Sequence, residues 1–340
     1  MRRSHGLRMS RTAFKAILLI IIAVLVIVGA VKLTGVLRDR LEAGGESEHP
    51  SYDATGSAPI IYNGERYVPN ASLTTYLLIG IDKYDSDLVP SGSYRNDSQS
   101  DFLMVLYVND EAKTFGLLQV NRDIMANITV FDQSGNEAGT VYEQLALAHT
   151  YGSGGKDSCE NTLKAVSGYL YGIGIDHYVS FTMDAITILN DSVGGVTVTV
   201  NDDFTGIDDT LVKGQTVTLY GQHAVNFIRS RMSMTEDPTN LNRLSRQREY
   251  LSSLYDRIRQ VSASDGDIID SAFVKITDYI VTDTTVNTLS QLAEKLTGYE
   301  FLGIETIEGE TVKGERFTEF YADEELLQKQ IIRLFYVKTE

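Results

Sequence analysis

The apolar positions of this chain fall into runs whose periods differ, and the periods predict the elements. The first run, Ala16 to Val31 (AILLIIIAVLVIVGAV), contains no charged residue. With flanks that can snorkel it extends from Ala13 to Leu37, enough to cross a hydrocarbon layer about 30 Å thick. A transmembrane helix is therefore expected over 16–37. Five basic and no acidic residues precede it (Arg2, Arg3, Arg8, Arg11 and Lys15). Their charge predicts a cytoplasmic tail over 1–15 and an extracytoplasmic location for everything beyond the span. The alternative is a signal peptide cleaved near Val28-Gly29-Ala30; the long apolar core favours an uncleaved anchor. Residues 38–57 are polar and rich in Gly, Ser and Glu, as in a stalk, and 58–340 read as a single domain.

Within 58–340, two short apolar runs flank Asn63-Gly64, which predicts a hairpin whose two turn residues both have positive φ. TTYLLIGID (74–82), DFLMVLYV (101–108) and KTFGLLQVNRD (113–123) each centre on a short apolar run, as strands buried on both faces do, and predict the centre of a sheet. Residues 141–155 and 159–172 show helical spacing. Then come strand-like HYVSFTM, helix-like DAITILNDS, strand-like GGVTVTV, a hairpin or pair of short strands in LVKGQTVTLYG, and a helix in GQHAVNFIRSR. Leu244, Leu251, Leu254 and Ile258 mark a long amphipathic helix over 240–261. The tail contains two more helical patterns, VNTLSQLAEKL and ADEELLQKQIIRLFYV, around a strand, EFLGIETI. Strands interleaved with helices predict an α/β fold: an α-β-α layered domain with a central mixed β-sheet flanked by helices.

Charge narrows the chemistry. The net charge is −16, from 30 Lys+Arg against 46 Asp+Glu, which excludes a general nucleic-acid binder with a broad basic face. One cysteine, Cys159, allows no intramolecular disulfide and no thiolate metal cluster. Residues 152–158 (GSGGKDS) lack the first glycine of a phosphate loop, and the five histidines show no metal-ligand spacing. Against this acidic background, residues 227–248 contain five arginines (Arg229, Arg231, Arg243, Arg246, Arg248) and no lysine. A guanidinium fork matches phosphate oxygens with paired bonds, so a pyrophosphate clamp fits; the plainer reading is a solvated basic helix face. Arg229 and Arg231 would point the same way only on extended backbone, whereas Arg243 and Arg246 fall on one helical face with Gln247 beside them.

Two acids close the strand pattern. Asp82 ends one buried run and Asp101 opens the next, so antiparallel pairing would bring their carboxylates together. A hard divalent cation, best Mg²⁺, would relieve their repulsion; the alternative is a pair of turn-capping aspartates. Arg122-Asp123 follows a third buried run and would deliver both charges to a cleft, or form a structural ion pair.

In order along the chain, LLIGID (77–82), SD at 100–101, RD at 122–123, ALAHTYG (146–152), DSVGGVTVTV (191–200), GQHAVNFIRSR (221–231) and NRLSRQR (242–248) resemble the LytR-CpsA-Psr family of bacterial cell-envelope proteins. The resemblance covers about 74–255 and implies transfer of a glycopolymer from a polyprenyl-pyrophosphate carrier to peptidoglycan, with Mg²⁺, or Mn²⁺ in its place. By position, it implies that Asp82 and Asp101 hold the metal. Arg122, Arg229, Arg231, Arg243 and Gln247 would grip the pyrophosphate, and Asp101, Arg122 and Asp123 would serve catalysis, an aspartate assisting deprotonation of the acceptor hydroxyl. Alternatives are a non-catalytic lipid-pyrophosphate binder acting in regulation, and a lipid pyrophosphatase. The chain departs from the family at Gln99, where the family has arginine, and at Asn240, where it has an acid; Arg95 is a candidate replacement for the missing guanidinium.

Overall fold

The computed structural model describes residues 59–81, 94–230, 241–264, 275–314 and 317–339. Strands β1 (Ile60–Tyr62) and β2 (Glu65–Pro69) form the expected hairpin, with φ of 51° at Asn63 and 78° at Gly64. The three apolar runs become β3 (Leu73–Ile81), β4 (Ser100–Asn109) and β5 (Thr114–Val120), each antiparallel to the next. Their unbroken apolar sequence has a direct cause: Leu77 and Leu78 point to opposite faces, and both faces are covered.

Beyond β5 the chain makes a second hairpin, β6 (Met125–Phe131) with β7 (Glu137–Gln144), then a 3-10 turn (Leu145–Thr150) and α1 (Lys156–Tyr169). β8 (His177–Thr182) leads into α2 (Met183–Ser192), and β9 (Val196–Thr199) pairs with β10 (Thr216–Leu219). Helices α3 (Gln222–Arg229) and α4 (Leu241–Ser264) follow. The remaining elements are β11 (Ile280–Thr282), α5 (Val286–Gly298), β12 (Glu300–Thr306), β13 (Gly309–Lys313), β14 (Thr318–Ala322), α6 (Glu324–Phe335) and β15 (Tyr336–Lys338).

The central sheet has six strands in the order β11-β8-β3-β4-β5-β12. It is mixed, because β3 runs parallel to β8 and β5 parallel to β12 while the other pairs are antiparallel. One face packs on α2, α3, α4 and α5 through residues such as Leu189, Phe227, Leu254 and Leu292. The other packs on α1 and α6 through Val166, Ile331 and Phe335. Each such side chain removed from water contributes about 1.5–3 kcal/mol, so both layers are held by the sheet between them. The expected α-β-α layering is thus present.

Two expectations change. Residues 141–155 are helical only over Leu145–Thr150, as a 3-10 helix, because ladder bonds to β6 take Val141–Gln144. LVKGQTVTLYG supplies one strand, β10, rather than a hairpin of its own. Strands β7 and β13 carry mostly exposed residues, so no apolar period marks the hairpins they form with β6 and β14, whose own residues are largely buried or half-buried. The predicted tail, membrane span and stalk over 1–57 lie outside the described residues. Among the described residues no helix is long and apolar enough to cross a membrane.

Candidate active site at the end of the central sheet

Antiparallel pairing brings the end of β3, the start of β4 and the end of β5 to one edge. Ile81 lies opposite Ser100, and Leu103 opposite Val120. The β3–β4 ladder is irregular there. Gly80 pairs with Phe102 and Ile81 with Ser100, which leaves Asp101 as an extra residue on β4. Such a bulge re-aims side chains. Glycine is needed at position 80 because a Cβ there would stand 2.9 Å from that of Phe102. Ser100 Oγ turns to the 3-10 turn, 3.3 Å from the Ala146 carbonyl oxygen, and the Asp101 carboxylate faces two guanidiniums.

The first guanidinium belongs to Arg122, two residues past β5, whose Nη1 is ion-paired with Asp101 Oδ1. The second comes from α4 on the opposite layer, with Arg243 Nη1 3.3 Å from Asp101 Oδ2. Arg122 also donates from Nη2 to Gln99 Oε1 at 2.8 Å, and its Nε lies 3.4 Å from Asp123 Oδ1. Gln144 Nε2 donates to the same Asp123 oxygen at 2.9 Å. Asp101, Arg122, Asp123 and Arg243 are only 3–6% exposed. Four buried charges, two of each sign, make a poor device for stability, since desolvation consumes most of the Coulomb gain. Buried, clustered charges of both signs at a strand edge point instead to a functional site.

The two aspartates differ. Both oxygens of Asp101 face guanidiniums, whereas Asp123 Oδ2 makes no hydrogen bond among the described residues. Arg229 is the last residue of α3, half-buried, and Ser230 beyond it is extended (ψ 136°). Gln247 is buried one turn along α4 from Arg243, with its Oε1 unpartnered among the described residues. Asp82 and Arg231, as well as Asn240, lie outside the described residues.

Arg246, three residues from Arg243 on α4 and equally buried, has different partners. Its Nε donates to the Phe227 carbonyl at 2.8 Å, Nη2 donates to the Ser230 carbonyl, and Nη1 pairs with Asp202. It is a latch on the C-terminus of α3, and it holds the segment that carries Arg229. A helix end leaves carbonyls without partners, and a five-donor fork can serve two of them and a carboxylate together. Arg248 donates to Gln119 Oε1 at 2.6 Å, and burial lowers its pKa. Arg95 stacks on Tyr151, its Cζ 3.8 Å from the ring centroid.

Gln99, Gln144 and the latch role of Arg246 were missed by sequence reasoning. Gln99 was noticed only as a departure, yet its amide oxygen accepts a bond that an arginine could not accept. No local signal marks Gln144, which reaches Asp123 from 21 residues away. His149 is wholly buried with Nδ1 2.9 Å from the Ser98 carbonyl oxygen, a structural position. Burial pushes the Cys159 thiol up, away from nucleophilic use.

Comparison with known proteins gives the family and the fold. A family model, LytR_cpsA_psr family, matches residues 52–333. The polyisoprenyl-teichoic acid–peptidoglycan teichoic acid transferase TagU of Enterococcus faecalis is 29% identical over 220 residues, 64% of this chain and 63% of that protein. Biofilm regulatory protein A of Streptococcus mutans is 25% identical over 266 residues, 75% of this chain and 60% of that protein. The chain therefore spans less than two thirds of the length of these relatives. The crystal structure of Bacillus subtilis TagV is 25% identical with a TM-score of 0.55, covering 78% of this chain and 96% of that one.

Proposed function

The chain belongs to the LytR-CpsA-Psr family, and we propose that it is a phosphotransferase that moves a glycopolymer from a polyprenyl-pyrophosphate carrier to a sugar hydroxyl of peptidoglycan. The observation that carries this reading is the buried convergence of Asp101, Arg122, Asp123 and Arg243 from three elements. Phosphoryl transfer needs alignment and charge neutralisation more than a covalent nucleophile, and the described residues supply those means.

In the proposed reaction the acceptor oxygen attacks the phosphorus that carries the glycan. The P–O–P bridge breaks and polyprenyl phosphate leaves with the bridging oxygen. Asp123, with Oδ2 unengaged, is the better placed of the two acids to take the hydroxyl proton. Gln144 and Arg122 Nε fix its other oxygen. Arg122 and Arg243 shift from Asp101 towards the diphosphate oxygens, with Arg229, Arg231 and Gln247 completing the grip.

Mg²⁺, or Mn²⁺ in its place, fits these residues. Asp101 is a buried hard-oxygen donor, and the cluster of two arginines and two aspartates is already balanced, so a diphosphate arrives with charge left to neutralise. Asp101 and Asp82 would hold the ion, which when bound would supply charge neutralisation at the diphosphate. The same reading assigns 16–37 as the membrane anchor, 58–340 as the catalytic domain, and the outer side of the cell membrane as its place.

The test is incubation of the purified chain with a prenyl-pyrophosphate-linked sugar, Mg²⁺ and peptidoglycan fragments. Asp101→Asn is expected to lower transfer by about 100-fold or more while thermal unfolding stays cooperative. Undiminished transfer by that variant sinks the reading. Free phosphate without attached sugar would identify a pyrophosphatase. Binding without either product would identify the regulatory binder that the name of the Streptococcus mutans relative suggests.

A further inference from the structure

A surface with exposed tyrosines begins where Asp123 is anchored. Gln144 Nε2 donates both to Asp123 and, at 2.6 Å, to the Thr318 carbonyl oxygen, and the Phe320 amide donates to the Asp123 carbonyl oxygen at 2.9 Å. These bonds fasten the ends of β7 and β14 to the candidate base. On β7, Tyr142 shares the face of Gln144 by the two-residue strand period and is 57% exposed. On β14, Tyr321 is 42% exposed and donates to Glu319 Oε2 at 2.6 Å on the same outer face. Tyr171, just past α1, is 41% exposed and bonds Glu324, just past β14. The tyrosines belong to one surface, because Gln144 ties the end of β7 to Thr318 of β14, and Glu324 ties Tyr171 to the segment that follows β14.

We propose that this surface docks the acceptor, a neutral polymer of amino sugars, and leads its hydroxyl to Asp123 from the side opposite α4. The inference rests on the transfer reading above and adds the acceptor's path. A pyranose ring has an apolar C–H face and a rim of hydroxyls. Tyrosine rings match the face, and the carboxylates of Glu319, Glu324 and Glu310, which lies opposite Tyr321, accept from the rim. Charge separates the two substrates. The carboxylates repel the anionic donor that the arginines attract, and they repel anionic lipid headgroups and a second copy of this acidic surface as well. Donor and acceptor thus meet at the Asp101–Asp123 cluster from different layers of the fold.

Calorimetric titration of the full chain with a tetrasaccharide of N-acetylglucosamine tests this surface without any turnover. Tyr142→Ala and Tyr321→Ala are each expected to raise Kd about fivefold, while Tyr321→Phe, which keeps the ring, stays within about twofold. In the transfer assay, KM for the acceptor rises and affinity for the donor is unchanged. Equal Kd values for wild type and both alanine variants overturn the proposal, as does an equal loss of donor affinity. A change in oligomeric state by light scattering with unaltered Kd overturns it too. If the wild type binds the tetrasaccharide through these rings yet transfers nothing, the glycan surface stands and the transferase reading falls.

Discussion

Arg243 and Arg246 lie three residues apart on α4, carry the same group, and are both 3% exposed. Arg243 reaches a carboxylate at the sheet edge; Arg246 reaches two carbonyls at the end of α3 and Asp202. One is positioned to exchange its partner for a phosphate oxygen, and the other is committed to two backbone carbonyls at a helix end. Burial and residue type therefore do not separate a ligand-binding arginine from a structural one. The partner does. A mobile anion can displace a guanidinium from a carboxylate, whereas a helix terminus cannot move away without unwinding.

That contrast can be broken most severely at the latch. Arg246→Ala strands Asp202 and two carbonyls, and is expected to cost about 3–5 kcal/mol, read as a fall in the denaturant midpoint. Arg246→Lys should recover less than half of it, because one ammonium cannot serve three acceptors spread around a fork. Arg243→Ala should do the reverse: transfer falls about 100- to 1,000-fold, with a smaller shift in the midpoint because Asp101 keeps Arg122. If Arg243→Ala proves the more destabilising of the two, the division of roles is wrong. Arg231→Lys, where charge is retained but paired donors are lost, should lower transfer about tenfold and leave stability unchanged.

The smallest effect concerns the other end of α3. Burial would raise the Asp208 carboxyl, but bonds from Thr210, Asn226 and His223 outweigh it and lower its pKa to about 2. Asp208 thereby fastens the start of α3, as Arg246 fastens its end. A depressed carboxyl pKa contributes stability that is full above pH about 4 and lost as pH falls through about 2. Asp208→Asn should thus cost about 1–2 kcal/mol at neutral pH, and its melting curve should converge with the wild type's in acid. A gap that persists at pH 2 would assign the effect to packing rather than charge.

Much of the fold was legible because its signals are local. Asn63-Gly64 needs positive φ at both positions, and the observed 51° and 78° comply. The runs at 74–82, 101–108 and 113–123 had to be covered on both faces, and they are the three adjacent central strands β3, β4 and β5. The hairpins β6–β7 and β13–β14 were not legible, since one strand of each, β7 and β13, is mostly exposed and has no apolar period; both hairpins nevertheless support Asp123. At the site, Asp101, Arg122, Asp123 and Arg243 were each identified from residue type and position. The bulge at Asp101 and the supporting amides of Gln99 and Gln144 were not, because each depends on a neighbour strand or turn.

The sequence by itself determined the element types, the apolar faces, the acidic balance and the supply of guanidinium groups, all of which are set by residues close together in the chain. Tertiary structure alone decided which arginine meets which oxygen. Asp101 and Arg243 are 142 residues apart, and Arg246 is 19 residues from the Phe227 carbonyl it caps. Such pairings follow from how two helical layers dock on one twisted sheet, and spacing along the chain does not encode that docking.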